Sequence, residues 1–210
     1  GVAVGGALVV ILAVIFFVGG KDQGLVGQAI VSGLLLGGVY ALISVGLTLI
    51  FGVLGIVNFA QGAMLTLSMY IVYALSTAGL PVYVATLLAV PVMFVFGMIV
   101  QATLLTKLTV GGSHEGPLLV TLGLSLLIIN VLLMVFGGRP KSVEAPVDGS
   151  ISILGTVAAW PRVLAFVGAA LVAIALKSVL DRTRLGLSIR AVASNSEGAK
   201  LVGVDIGRVY

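Results

Sequence analysis

Two amide side chains, Asn58 and Gln61, stand three residues apart in "FGVLGIVNFAQGAML", Phe51 to Leu65, just before an apolar run. Amides supply hydrogen-bond donors and acceptors without charge, which suits a polar solute or an interrupted backbone at membrane depth, and performs no covalent chemistry. A second pair, Ser194 and Glu197, has the spacing of a capping box, in which hydroxyl and carboxylate reciprocally satisfy free amides at a helix start. The chain has no cysteine and a single histidine, His114, which excludes disulfides, thiol catalysis, thiolate metal sites and an imidazole cluster. It contains no GxxxxGK[ST] loop to cradle phosphates, so it is not expected to hydrolyse ATP. We expect no catalytic residue, no metal site and no cofactor bound by this chain.

The elements that position these groups follow from composition. Of 210 residues, 60% are hydrophobic and 9% charged, and the mean hydropathy is +1.29. So little polar surface cannot cover a soluble globule, whereas lipid accepts it: the chain is an integral membrane protein. The net charge of +4 raises nucleic acid as a partner, but the basic residues follow membrane topology and no patch with interleaved aromatics exists. Six apolar runs approach the roughly 20 helical residues that span a bilayer: Val2 to Val18, Gln28 to Phe51, Ala60 to Ala78, Tyr83 to Thr106, Pro117 to Gly137 and Val163 to Leu180. Helices are the fitting element because no alternating barrel pattern is present and an open sheet would leave backbone groups unpaired in lipid. The predicted fold is an all-α polytopic bundle of six spans, divided into an N-terminal span or signal anchor (1–19), a core (28–180) with a loop at 138–162, and a polar tail (181–210). The first run lacks the basic flank and the cleavage site of a signal peptide. The absence of an initiator Met suggests that the chain begins inside a longer product.

Orientation comes from Arg182, Arg184, Arg190, Lys200 and Arg208, the densest positive cluster, which places the tail in the cytoplasm and the 138–162 loop outside. Arg139, Lys141 and Arg162 in that loop weigh the other way. Ser150 to Leu154 alternates and could pair as a small hairpin, and Trp160 suits the membrane interface. The loop is either a docking surface for an external protein or a plain connector. Inside the spans, Gly33 and Gly37 form a GxxxG spacing that would admit a close helix. Tyr40, Ser44 and Thr48 share one face, either lining a path or bonding their own helix. The glycines Gly52, Gly55 and Gly62 punctuate the Phe51–Leu65 stretch, which reads as a cytoplasmic turn, a broken or re-entrant helix, or a cavity wall, against a simple loop. Gln101, Thr121, Ser125 and Asn130 are candidates for interhelical hydrogen bonds.

In the tail, Leu185, Ile189 and Val192 fall on one helical face with Arg184 and Arg190 polar, giving an amphipathic cytoplasmic element. The short helix opened at Ser194 carries Ala199, Leu201 and Val202 and should stop at Gly203. Asp205 is placed to cap a further helix.

Glu197-Gly198-Ala199, three further residues and then Gly203 is similar to the EAA loop of ABC-importer permeases. Three longer stretches, "RLGLSIRAVASNSEGAKLVGVDIGRV", "GLLLGGVYALISVGLTLIFGVLGIVNFAQGAML" and "LLVTLGLSLLIIN", resemble the branched-chain amino acid permeases of that class, from Gln28 to the end. The resemblance implies a permease subunit in a bacterial-type inner membrane. It pairs with an identical or paralogous subunit, two ABC ATPases bind below, ATP and Mg reside on those ATPases, and an external solute-binding protein delivers substrate above. By the same resemblance, Ser194, Glu197, Gly198, Ala199 and Gly203 would couple to the ATPase. Asn58, Gln61, Gly62, Tyr40, Thr121 and Ser125 are expected along the translocation path or gate. Family members continue beyond the equivalent of Tyr210 with further membrane helices. Gly198 departs from the usual alanine, which weakens an exposed helix by about 1 kcal/mol. Urea, short amides and other amino acids are alternative substrates. The rival classes are an ATPase-independent secondary transporter, which would ordinarily carry an ionisable residue at mid-membrane, and a structural assembly subunit.

Overall fold

A computed structural model describes residues 23–105, 115–143, 149–153 and 156–205. The expected first span, and residues 106–114 between the expected fourth and fifth spans, lie outside them. In chain order the elements are α1 (Gln23–Leu54), α2 (Gln61–Thr77), α3 (Val82–Val100) continued by a π-helical turn (Gln101–Leu105), α4 (Glu115–Phe136), β1 (Ser150–Ile153), β2 (Thr156–Ala159), α5 (Trp160–Arg182), α6 (Arg184–Ser194) and α7 (Ser196–Leu201). The fold is a polytopic helical one, as expected. Four helices among the described residues are long and apolar enough to cross a membrane, over 26–53, 82–104, 116–136 and 160–182. The expected span at Ala60 to Ala78 becomes the 17-residue α2, roughly 25 Å of helix at 1.5 Å per residue, somewhat less than the hydrocarbon core. Large apolar side chains such as Leu87, Phe94 and Met134 are exposed along the spans, where lipid is their solvent.

The chain divides into two compact units, residues 1–43 with 147–173 and residues 44–146 with 174–210. In the first, β1 and β2 form the antiparallel hairpin expected from the alternation at Ser150, with Ser150 opposite Ala159 and Ile153 opposite Thr156. The side chain of Gln28 acts as a mock third strand. Its Nε2 donates to the Val157 carbonyl at 2.8 Å, and its Oε1 accepts from the Val157 amide at 3.2 Å. This contact satisfies backbone groups that a two-stranded hairpin leaves open on its edge. Gly33 and Gly37, expected to admit a helix, meet nothing within 4 Å at the position of a Cβ. The close approach is one residue on, where a Cβ at Gly38 would run into the Phe166 ring.

In the second unit α2 packs against both α3 and α4. Small residues make this possible: Ala63, Ala85 and Ala89 are buried, with Ile128 and Leu132 on α4. Tyr70 stacks on Phe136 at 4.6 Å between ring centroids, and Tyr73 meets the same ring edge-on at 6.0 Å. Several intramembrane hydroxyls bond their own helix: Thr48 Oγ1 donates to the Ser44 carbonyl, Thr86 Oγ1 to Val82 and Ser178 Oγ to Ile174. Asn130, a candidate interhelical donor, likewise donates to Leu126 within α4.

Candidate functional site

The Phe51–Leu65 stretch is a break between two helices. Gly55 ends α1 with φ +67° and its amide donates to the Phe51 carbonyl at 2.8 Å, a left-handed cap that a residue with a Cβ adopts only with strain. Residues 55–60 then run without regular structure, yet Ile56, Asn58 and Ala60 are buried. Buried irregular backbone needs partners, and side chains supply them. Asn58 Oδ1 accepts from the Ala60 amide at 2.9 Å, a local Asx turn. Thr121 Oγ1, on α4, accepts from the Phe59 amide at 3.3 Å and donates to the Leu118 carbonyl at 3.1 Å. Thr121 is 1% exposed. It stands six residues into α4, roughly 9 Å from the helix start, so the break sits at helix depth. Gln61 opens α2, and its Nε2 lies 3.8 Å from where a Cβ on Gly46 would project. Gly46 thus leaves room for that amide.

Three of the predicted path residues, Asn58, Gln61 and Thr121, therefore meet around one break. Ser125 follows one turn along α4 and is half-buried, Gly62 is exposed, and Tyr40 falls in the first unit with 62% exposure. The arrangement offers an uncharged polar spot beside apolar helices. No group of three metal-binding side chains occurs among the described residues.

The tail forms a capped elbow. Thr183 separates α5 from α6: its Oγ1 accepts from the Gly186 amide at 3.0 Å and donates back to the Val179 carbonyl at 2.6 Å. Gly186 is buried, and a Cβ there would collide with the backbone of Leu180 and Val179. Arg190 and Asp181 pair across the bend at 3.0 Å, each about half exposed, so the pair adds orientation more than stability. On α6, Val192 is buried and Ile189 half-buried as the amphipathic pattern predicts, whereas Leu185 is 64% exposed.

The expected cap at Ser194 is corrected. Ser194 is the last helical residue of α6, and a residue in helical conformation cannot serve as the extended cap. Asn195 does so instead, with φ −158° and ψ 102°, its Oδ1 accepting from the Gly198 amide at 2.9 Å. A Cβ at Gly198 would lie 3.3 Å from Asn195 Cγ, which gives the glycine in place of alanine a local steric reason. Glu197 falls on the first turn of α7, its side chain outside the described part. The far end closes as predicted at Gly203, with φ +83°. The Gly203 amide donates to Lys200 and the Val204 amide to Ala199, each at 3.0 Å, a complete Schellman motif. Asn195→Ala should weaken α7 by about 1 kcal/mol, and Ser194→Ala should not. Hydrogen exchange at the Gly198 to Lys200 amides reads both; protection lost in Ser194→Ala and kept in Asn195→Ala would restore Ser194 as the cap.

Residues 29–210 match the family model described as the permease component of the branched-chain amino acid transport system. The chain belongs to this permease family. It is 27% identical over 196 residues to the high-affinity branched-chain amino acid transport system permease protein BraD of Pseudomonas aeruginosa, covering 87% of this chain and 64% of that one. It is 24% identical to the LivH proteins of the same description from Escherichia coli and Salmonella typhimurium, covering 87% of this chain and 63% of each relative. The permease-family chain thus spans a little under two thirds of the length of these relatives. No solved structure matches it.

Proposed function

We propose that the chain acts as a membrane-spanning permease subunit of an ABC importer for branched-chain amino acids, seated in a bacterial inner membrane with residues 181–210 in the cytoplasm. The observation that carries this reading is the family match over 29–210, which runs through both the break and the elbow. The relatives are transport permeases for branched-chain amino acids by description. The elbow suits mechanical coupling, because the two short helices are fixed at both ends by caps and joined to the span α5 through a close backbone contact. Force applied to α7 by a partner ATPase would pass along α5 instead of dissipating in a loose loop. An ATPase biases the permease only through contacts that differ between its two states. In the membrane, Asn58, Gln61 and Thr121 would form a polar gate that opens and closes as the break moves.

The test is purification of the tagged chain in mild detergent, with the copurifying proteins identified and leucine uptake measured in parallel. Recovery of an ATPase that is lost on Glu197→Arg, together with lost uptake, is the expected outcome. Unchanged ATPase recovery and uptake in that variant would remove α7 from the coupling role.

A further inference from the structure

A groove runs along the packed pair α2 and α3, away from the break. Its cavity of about 840 Å³ has an apolar length walled by Met69, Val90 and Met93, and it is lined toward one end by Tyr73 and Lys141. Lys141 Nζ lies over the Tyr73 ring, 5.8 Å from its centroid. Beyond Tyr73 a smaller cavity of about 320 Å³ continues the groove, where Ser76, Thr77 and Ser142 join the apolar Leu80, Pro81 and Val82.

Three features specify the occupant. Met69 and Val90 are 64% and 63% exposed, so the apolar length opens sideways along the helices, toward what would be hydrocarbon. Lys141 makes no ion pair among the described residues. Neither cavity is lined by a carboxylate among them, so an amino acid would leave its ammonium without a counter-charge. An apolar chain ending in an anion fits all three.

We infer that this groove binds one anionic phospholipid, with an acyl chain along Met69, Val90 and Met93 and the phosphate against Lys141. The site rests on the membrane placement proposed above and not on the identity of the transported solute. Lipid held there would brace α2, the helix that begins at the break, against α3.

Native mass spectrometry of the detergent-purified chain, after exchange into mixed phosphatidylglycerol and phosphatidylcholine, tests it. Wild type retains phosphatidylglycerol preferentially. Lys141→Gln lowers that retention about fivefold, the equivalent of the roughly 1 kcal/mol that one lysine contributes near an anionic surface, while Lys177→Gln, which removes the same charge on α5 outside both cavities, leaves it unchanged. Val90→Trp, at an exposed wall position, reduces retention of both lipids by filling the groove. Equal phosphatidylglycerol retention in wild type and Lys141→Gln overturns the site, as does its displacement by leucine or by inorganic phosphate, which would reassign Lys141 to a solute or a free anion. Normal uptake by a chain that retains no phosphatidylglycerol overturns this inference alone and leaves the permease reading standing.

Discussion

Gly186→Ala is expected to destabilise the chain by about 3 kcal/mol and to abolish uptake. Most added methyl groups meet side chains that can rotate away. At Gly186 the obstacle is backbone, the Leu180 Cα and carbonyl and the Val179 carbonyl, so relief requires moving the last turn of α5 or the first turn of α6. Either movement breaks the Thr183 cap and shifts the direction in which α6 and α7 leave the membrane span. Gly123→Ala is the matched control. It lies mid-helix on α4 with nothing within 4 Å of a Cβ, so alanine there should be neutral or stabilise by roughly 0.5–1 kcal/mol. Thermal unfolding of both variants in the same detergent decides the matter: if Gly186→Ala unfolds with Gly123→Ala, the elbow is not rigid.

Asn58→Leu carries the second large effect. It preserves bulk but removes the acceptor of the amide of Ala60, which itself has no exposed surface, and this costs about 1–3 kcal/mol. Uptake should fall with it, since the turn that holds residues 55–60 inside the helix pair loses its shape. Thr121→Val removes the other support by orphaning the Phe59 amide. Because both side chains brace the same six residues, the double variant should be less damaging than the sum of the singles, with a coupling of about 0.5–3 kcal/mol. Strict additivity in a double-mutant cycle would mean that Asn58 and Thr121 hold separate features. Asn58→Ser, which keeps a short acceptor, should recover part of the loss.

The class, the helical architecture, the hairpin at Ser150 and the glycine stop at Gly203 were legible in the amino-acid order alone. These rest on local physics: apolar run length against bilayer thickness, alternation along a strand, and the freedom of glycine at positive φ. The same order also singled out Asn58, Gln61 and Thr121, because polar residues in so apolar a chain demand a partner. What it could not supply was which partner. Thr121 lies 62 residues from Phe59 and Gln28 lies 129 from Val157, and no local pattern encodes such pairings. The GxxxG spacing pointed to Gly33 and Gly37, yet Phe166 packs at Gly38, because helix contact depends on the rotation of a neighbour as well as on a small-residue stripe. The cap moved from Ser194 to Asn195 for a related reason: capping chemistry suits both residues, and only the length of α6 decides which one leaves the helical conformation. Gly46 and Gly186 were lost among 29 glycines, since what makes a glycine indispensable is the atom that folding brings against it.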